Sequence, residues 1–277
     1  MYSEASATRA LHIDMGRKSF FIRMRFSGTN VKRIALGSVN NRGARNYQED
    51  SFGFSSIDKK DLEEYGFTAV VADGMGGLSG GAQVSDYVVS AMLDMQMNRD
   101  LSVPVYLHLY QSLLAVNNGI LRSGMKGGST AVVVTCLPTG VYWCTVGDSR
   151  VYLYRNGILT AMNEDTDYMN RLLERVISGE IKLEDALMDK KKDSLAQYMG
   201  YKGGIVPDVN SKPLVPRKND KLLLCTDGVY NALTVKELND ALSRPAGEAA
   251  AQIEGRIVAK GYSTQDNFTA IVLEFIR

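Results

Sequence analysis

VVADGMGGLSGGAQVS, residues 70–85, runs a β-branched stretch into Asp73, then a glycine-rich loop, then the start of a helix. Three chemistries share that outline. Glycines between a strand and a helix can cradle a phosphate, Leu78-Ser79-Gly80-Gly81 looks like the signature of transporter ATPases, and an Asp-Gly at a strand end can hold a metal. The nucleotide readings fail on detail. A dinucleotide fingerprint needs G-x-G-x-x-G, and after Gly74 and Gly76 the third position is Ser79. A Walker loop ends in Gly-Lys-Ser/Thr, whereas GMKGGST (124–130) puts Lys126 ahead of its glycines. What remains is the carboxylate.

Asp73 is one of four such residues. VVADG, CTVGDSR, LLLCTDG and TQDNFTAIV set Asp73, Asp148, Asp227 and Asp266 each at the boundary of an apolar run. Strand ends lie at the rim of a sheet, where side chains from distant segments converge. Carboxylates gathered there repel unless a cation neutralises them. Oxygen-only ligands suit hard cations, Mg²⁺ or Mn²⁺, and do not suit Zn²⁺. A turn after a strand explains one Asp-Gly; four recurrences favour a metal-binding rim.

Working outward, β-like runs rich in Val, Ile, Thr and aromatics occupy 34–39, 51–57, 67–72, 130–137, 141–146, 150–154, 221–226 and 268–276, with FFIRMRF (20–26) as an added strand. CLPTGVY and YRNGIL carry hairpin turn chemistry, which makes much of the pairing antiparallel. Helical patterns cover 80–98, 104–123, 234–243 and 246–260, in two pairs between strands. Met92, Met95 and Met97 sit at helical spacing and read as core filler. This is not the βαβ alternation of a parallel sheet. The expected fold is α+β, a four-layer α-β-β-α sandwich of two packed antiparallel sheets flanked by helix pairs. Residues 1–33 form an N-terminal extension, flexible or an added strand, and 34–277 one domain with a charged excursion at about 163–212. The Lys190–Lys192 run in that excursion reads as a solvated face.

Composition limits the alternatives. The chain has 277 residues, 45% of them hydrophobic and 23% charged, which supports a sizeable core. Lys plus Arg number 32 and Asp plus Glu 31, a balance that offers no overall reason for nucleic acid or membrane as partner. The three cysteines, Cys136, Cys144 and Cys225, lie in apolar runs and read as buried reduced thiols. No apolar stretch approaches the roughly 20 residues of a bilayer span. A soluble, cytoplasmic, monomeric protein is expected.

With these residues in view the chain resembles the metal-dependent protein serine/threonine phosphatases of the phosphatase 2C type, bacterial branch. The motifs run in family order: RGARNYQEDS (42–51), VVADGMGG (70–77), GGSTAVV (127–133), VGDSRVYLYRNG (146–157), LLLCTDGVYNAL (222–233) and DNFTAIVLEF (266–275). The resemblance implies that Asp73 bridges two metal ions and Gly74 offers its carbonyl to one of them. Asp227 and Asp266 complete the other site, and Glu49 and Asp50 act through metal-bound waters. Arg45 binds the phosphate, and Asp148 holds a third, weaker metal together with Asp227. The excursion at 163–212 looks like the family's variable flap. The implied activity is hydrolysis of phosphoserine and phosphothreonine in proteins by a hydroxide bridging two Mg²⁺ or Mn²⁺ ions, roughly 3.5–4 Å apart. A serine/threonine kinase or its targets would supply the substrate. Leu78 and Ala82 replace the usual histidine and glutamate after DGMGG, NEDTD replaces an Asp-His, and Met75 stands where animal members carry a histidine.

Other catalytic sets are poorly supplied. His12 and His108 are the two histidines, and neither lies near a nucleophile motif. Ser129 and Ser149 lack a visible base and read as partners of nearby backbone. A reading of another class also fits the sequence: a non-catalytic relative that binds a phosphoprotein or regulatory partner through the same cleft.

Overall fold

The computed structural model describes residues 20–76, 80–166, 168–190 and 194–277. His12, Leu78, Gly77, Lys191 and Lys192 lie outside the described residues.

Side-chain alternation decides the layers. Along β2 (Arg33–Asn41), Ile34 and Leu36 face one way and Ala35 and Val39 the other, and both faces are buried. A strand covered on both sides belongs inside a stack. β2 is the second strand of an antiparallel sheet ordered β1 (Phe20–Arg23), β2, β13 (Phe268–Ile276), β12 (Lys221–Cys225), β9 (Arg150–Arg155) and β10 (Ile158–Ala161). A second antiparallel sheet runs β11 (Asp208–Val209), β8 (Gly140–Val146), β7 (Ala131–Leu137), β4 (Phe67–Ala72) and β3 (Ser51–Phe54).

Ile34, Leu36, Leu222, Leu224 and Ile271 of the first sheet meet Ala69, Val71, Val132 and Val134 of the second in the central core. The outer face of the first sheet packs on α7 (Val235–Leu242) and α8 (Ala246–Lys260) through Leu238, Ile253 and Ile257. That of the second packs on α2 (Gly80–Met97) and α3 (Val105–Ser123) through Val84, Val88, Leu109 and Leu113. The layering is α-β-β-α, as the sequence led us to expect. Met92 is fully buried and Met95 packs against the same core. The three cysteines are free and buried, and burial pushes each thiol up.

Four features escaped sequence reading. α1 (Lys59–Glu64) fills the β3–β4 connection. The charged excursion contains the short helices its sequence suggests, α4 (Tyr168–Ile177) and α5 (Leu183–Met188), but its end returns unexpectedly to the sheet as β11, paired with Cys144 and Thr145. A two-residue pair, β5 (Gly74–Met75) and β6 (Gly128–Ser129), and the single turn α6 (Asp227–Tyr230) are too short for any periodicity to show.

α8 approaches β2 so closely that a Cβ on Gly37 would stand 2.2 Å from the Ala246 carbonyl oxygen. Both atoms belong to backbone, so nothing flexible can yield. Gly37→Ala is expected to cost about 1–3 kcal/mol, the usual range for overpacking. Urea denaturation followed by circular dichroism measures it; an unchanged midpoint would contradict the close helix–sheet contact.

Candidate active site

β4 delivers Asp73 to one rim of the sandwich. The Asp73 amide donates to Thr130 Oγ1 (2.9 Å), and the Thr130 amide donates to the Asp73 carbonyl (2.8 Å). Thr130 Oγ1 is in turn 2.7 Å from Ser149 Oγ. Ser149 therefore meets a side-chain hydroxyl, where the sequence suggested backbone; Ser129 Oγ does donate to a carbonyl, that of Thr130 (2.8 Å). Gly74 follows, its amide donating to the Glu49 carbonyl (3.1 Å). A Cβ there would lie 2.4 Å from that oxygen and 2.5 Å from the Gly81 carbonyl, so no other residue fits.

β3 brings Glu49 and Asp50 to the same rim. Asp50 Oδ2 accepts hydrogen bonds from Thr226 Oγ1 (2.9 Å) and Thr269 Oγ1 (2.8 Å). Those threonines belong to the opposite sheet, so the carboxylate ties the two sheets together. Asn267 holds the loop before it, accepting from the Glu49 amide (2.8 Å) and donating to the Arg42 and Tyr47 carbonyls. Ser85 of α2 donates to the Glu49 carbonyl (2.6 Å). Thr226, Thr269, Asn267 and Ser85 were missed by sequence reading. Thr226 and Asn267 adjoin Asp227 and Asp266 in sequence, and that adjacency was the available signal; Thr269 and Ser85 carried none.

Asp227 opens α6, not a turn after a strand, and accepts from Asn231 Nδ2 (3.1 Å). Asp266 lies just before β13 and pairs with Arg45, Nη2 to Oδ2 at 2.6 Å, both side chains substantially exposed. Asp148 lies between β8 and β9, and Tyr230 Oη donates to its carbonyl (3.0 Å). Arg150 stacks over the Tyr230 ring at 3.7 Å and forks onto Asp165, with bonds of 3.0 and 2.6 Å. The NEDTD segment thus contributes Asp165 as the partner of Arg150. A groove of about 900 Å³ opens beside this pair, against α4, lined in part by Glu164, Glu174 and Asp208.

The rim concentrates negative charge. Burial pushes Asp73 well above the carboxylate range, and Asp50, Asp227, Asp148 and Asp266 push it further. Burial likewise raises Asp50 to about 7, against the pull of the two threonine hydroxyls. Asp148 rises to about 7 through burial and the charge of Asp227, and Asp227 rises through burial and the charge of Asp266. The Asp73 side chain beside Asp227 pulls the latter down again, against burial and the charge of Asp266.

Among the described residues no three His, Cys, Asp or Glu side chains close into a ready-made metal cage. Asp266 is turned onto Arg45, and Asp50 onto its threonines. The donor set still fits hard cations. It is all oxygen, its carboxyl groups raise one another, and Glu49 Oε1 is buried without a hydrogen-bond partner. A Cβ on Gly81 would strike that oxygen at 2.5 Å, so the space beside it is kept clear. His108, by contrast, is far from this chemistry in the fold: its Nε2 lies 3.1 Å from the Met95 carbonyl and 3.2 Å from Ser112 Oγ, joining α3 to α2.

A family profile described as Protein phosphatase 2C matches residues 37–260. The chain is 30% identical over 242 residues to the serine/threonine phosphatase Stp of Listeria welshimeri, covering 83% of this chain and 91% of that protein. Its fold is similar to that of the S. agalactiae serine/threonine phosphatase, with a TM-score of 0.72 at 20% identity over 88% of this chain and all of the other. The catalytic domain of the serine/threonine protein phosphatase PstP, solved in complex with two manganese ions, aligns with a TM-score of 0.63 at 21% identity over 88% of this chain and 99% of that one.

The raised carboxyls fix a pH signature. Their folded pKa values exceed the unfolded ones, so the folded state binds more protons between the ordinary aspartate value and about pH 7. In chelator, their contribution to stability is full below that window and is lost as pH rises through it. A divalent cation bound among these carboxyls would offset the loss. The stabilisation on adding Mn²⁺, read as a gain in Tm, is therefore expected to be small near pH 5 and largest near pH 8, where a hundredfold excess over Kd corresponds to about 2.7 kcal/mol. Differential scanning fluorimetry measures it, and a gain independent of pH would place the cation away from these carboxyls.

Proposed function

This chain belongs to the protein phosphatase 2C family and is a protein serine/threonine phosphatase; we propose that it hydrolyses phosphoserine and phosphothreonine esters with a water activated between two Mg²⁺ or Mn²⁺ ions held by the carboxyl groups around Asp73. The observation that carries this reading is the half-buried Asp73 carboxyl itself, set among Asp50, Asp148, Asp227 and Asp266. Among the described residues the one ion pair made by this set is that of Arg45 with Asp266.

Each residue has a task in this scheme. Asp73 would bridge the two cations, with the Gly74 carbonyl on one of them and Asp227 and Asp266 on the other. Glu49 and Asp50 would act through water, Asp50 with its Oδ2 already committed to two threonines. Asp148 and Asp227 would hold a third, weaker ion. Arg45 stands at the mouth of the site, and its planar guanidinium suits two oxygens of a phosphoryl group. Its bond to Asp266 is solvent-exposed and cheap to exchange for phosphate. Transition-state charge on the phosphoryl oxygens would then meet fixed positive charge.

No imidazole reaches the rim among the described residues, and Met75 cannot donate a proton. The leaving seryl oxygen would take its proton from water in the site. The charged segment at 163–212 would select substrate, with residues flanking the phosphate lying in the groove against α4. A serine/threonine kinase would be the source of such phosphoproteins.

Asp73→Asn replaces the central charge by an amide. Turnover of a phosphopeptide with Mn²⁺ is expected to fall at least a hundredfold, about 3 kcal/mol or more, with the fold intact. Retention of kcat within about threefold would sink the two-cation scheme, and no turnover at all by the folded wild type with Mn²⁺ would leave only a binding module. Arg45→Ala is expected to lower kcat/KM by roughly 10- to 150-fold, for a contact worth about 1.5–3 kcal/mol. Steady-state kinetics on the same peptide decides; an unchanged value moves the phosphate site elsewhere.

A further inference from the structure

The end of the sandwich far from Asp73 carries a second feature that the catalytic scheme leaves unused. β12 begins beside Asp220 and ends just before Thr226 and Asp227, which separates the two ends by about 17 Å. At the far end a cavity of about 560 Å³ opens between the β1–β2 turn, at Gly28 and Asn30, and the loop over 213–218. Such a volume lies within the range of small-molecule sites. Three cations line it, Arg155, Arg217 and Lys218, and no carboxylate does.

The nearest acid in the chain is already spent. Asp220 accepts from Arg155 Nε (3.0 Å) and Nη2 (2.6 Å), and from the Arg217 amide (2.7 Å). Among the described residues no carboxylate pairs with the exposed side chains of Arg217 and Lys218 at the cavity wall. Arg155 is held in place by a buried anion, with its Nη2 also on the Val215 carbonyl (3.2 Å).

The surroundings add charge of the same sign. The Met24 amide bonds the Lys32 carbonyl and the Phe26 amide bonds that of Val31, so Arg25 and Lys32 are neighbours on the hairpin whose tip walls the cavity. Arg23 faces Arg33 across the β1–β2 register, a like-charge pair that costs stability. Residues 20–33 hold four Lys or Arg and no Asp or Glu, in a chain whose net charge is +1. The overall balance therefore hides a segregation, basic at this end and acidic elsewhere. Charge on an edge strand discourages pairing with another sheet. That accounts for Arg23, and not for Arg217 and Lys218, which sit on a loop around a cavity.

We propose that this cavity binds an oligophosphate anion, an ion with two or more phosphate groups, gripped by Arg217 and Lys218 against the preset Arg155. A guanidinium fork and an ammonium together match a phosphate chain better than a lone carboxylate. The same chemistry could come from a free small molecule or from phospholipid headgroups; the cavity's concave wall favours the free anion. The proposal does not rest on the catalytic reading.

The test is titration calorimetry of the full chain with inorganic pyrophosphate, in metal-free buffer at low salt. Wild type and Arg45→Ala are expected to bind alike, because Arg45 belongs to the other end. Arg217→Ala/Lys218→Ala is expected to bind at least about tenfold more weakly, with Tm and chelator-sensitive hydrolysis of an aryl phosphate unchanged. Absence of pyrophosphate binding in wild type, equal binding by the double variant, or loss of binding in Arg45→Ala would each overturn it. So would sedimentation with phosphatidylglycerol vesicles, and not with phosphatidylcholine ones, by a protein that ignores pyrophosphate; the charge would then serve a lipid surface.

Discussion

Carboxyl groups that would be more stable apart are held together at one rim of this protein. Asp73 arrives from one sheet at the end of β4, Asp227 and Asp266 from the other, and Asp148 from the turn that joins the two sheets through β8 and β9. The packing of apolar strands supplies the force. β4 is buried at all six positions, and β12 at all five, so neither strand can withdraw its terminal aspartate without exposing its whole length. The hydrophobic core thus sets the electrostatics of the rim. Burial and mutual repulsion raise the carboxyl groups.

The neutral polar residues around the rim share a single purpose. Thr226 and Thr269 aim one oxygen of Asp50 inward, Thr130 fixes the Asp73 backbone, and Asn267 fixes the Glu49 backbone. Each acts through a short hydrogen bond from a residue already locked in a strand or at its end. Orientation of the charged set therefore needs no mobile loop, and its geometry is inherited from the sheets.

Much of this was legible in the sequence. The β-branched runs ending in Asp73 and Asp227 and the paired helical periods reveal the sandwich, because burial on two faces leaves long apolar strands and burial on one face leaves a 3.6-residue stripe. The aspartates stood out because charge at the edge of an apolar run is conspicuous. What could not be read was contact between segments far apart in the chain. Thr269 and Asp50 are 219 positions apart, and nothing local in either marks the bond between them. The sign of charge at the far end was hidden for another reason: a sum over the whole chain, 32 against 31, erases the arrangement. Asp165 was invisible as a partner of Arg150 until the β9–β10 hairpin turned the chain back on itself.

The pair of Arg45 and Asp266 makes two affinities reciprocal. In this state each side chain is the other's ligand, at 2.6 Å. Anything that engages the Asp266 carboxylate releases the guanidinium, and anything that engages the guanidinium releases the carboxylate. A cation at Asp266 and an anion at Arg45 therefore favour each other's binding by equal factors, as heterotropic linkage demands. Such a protein would hold either ion weakly alone and both firmly together, and its empty state would be self-neutralised at this exposed pair.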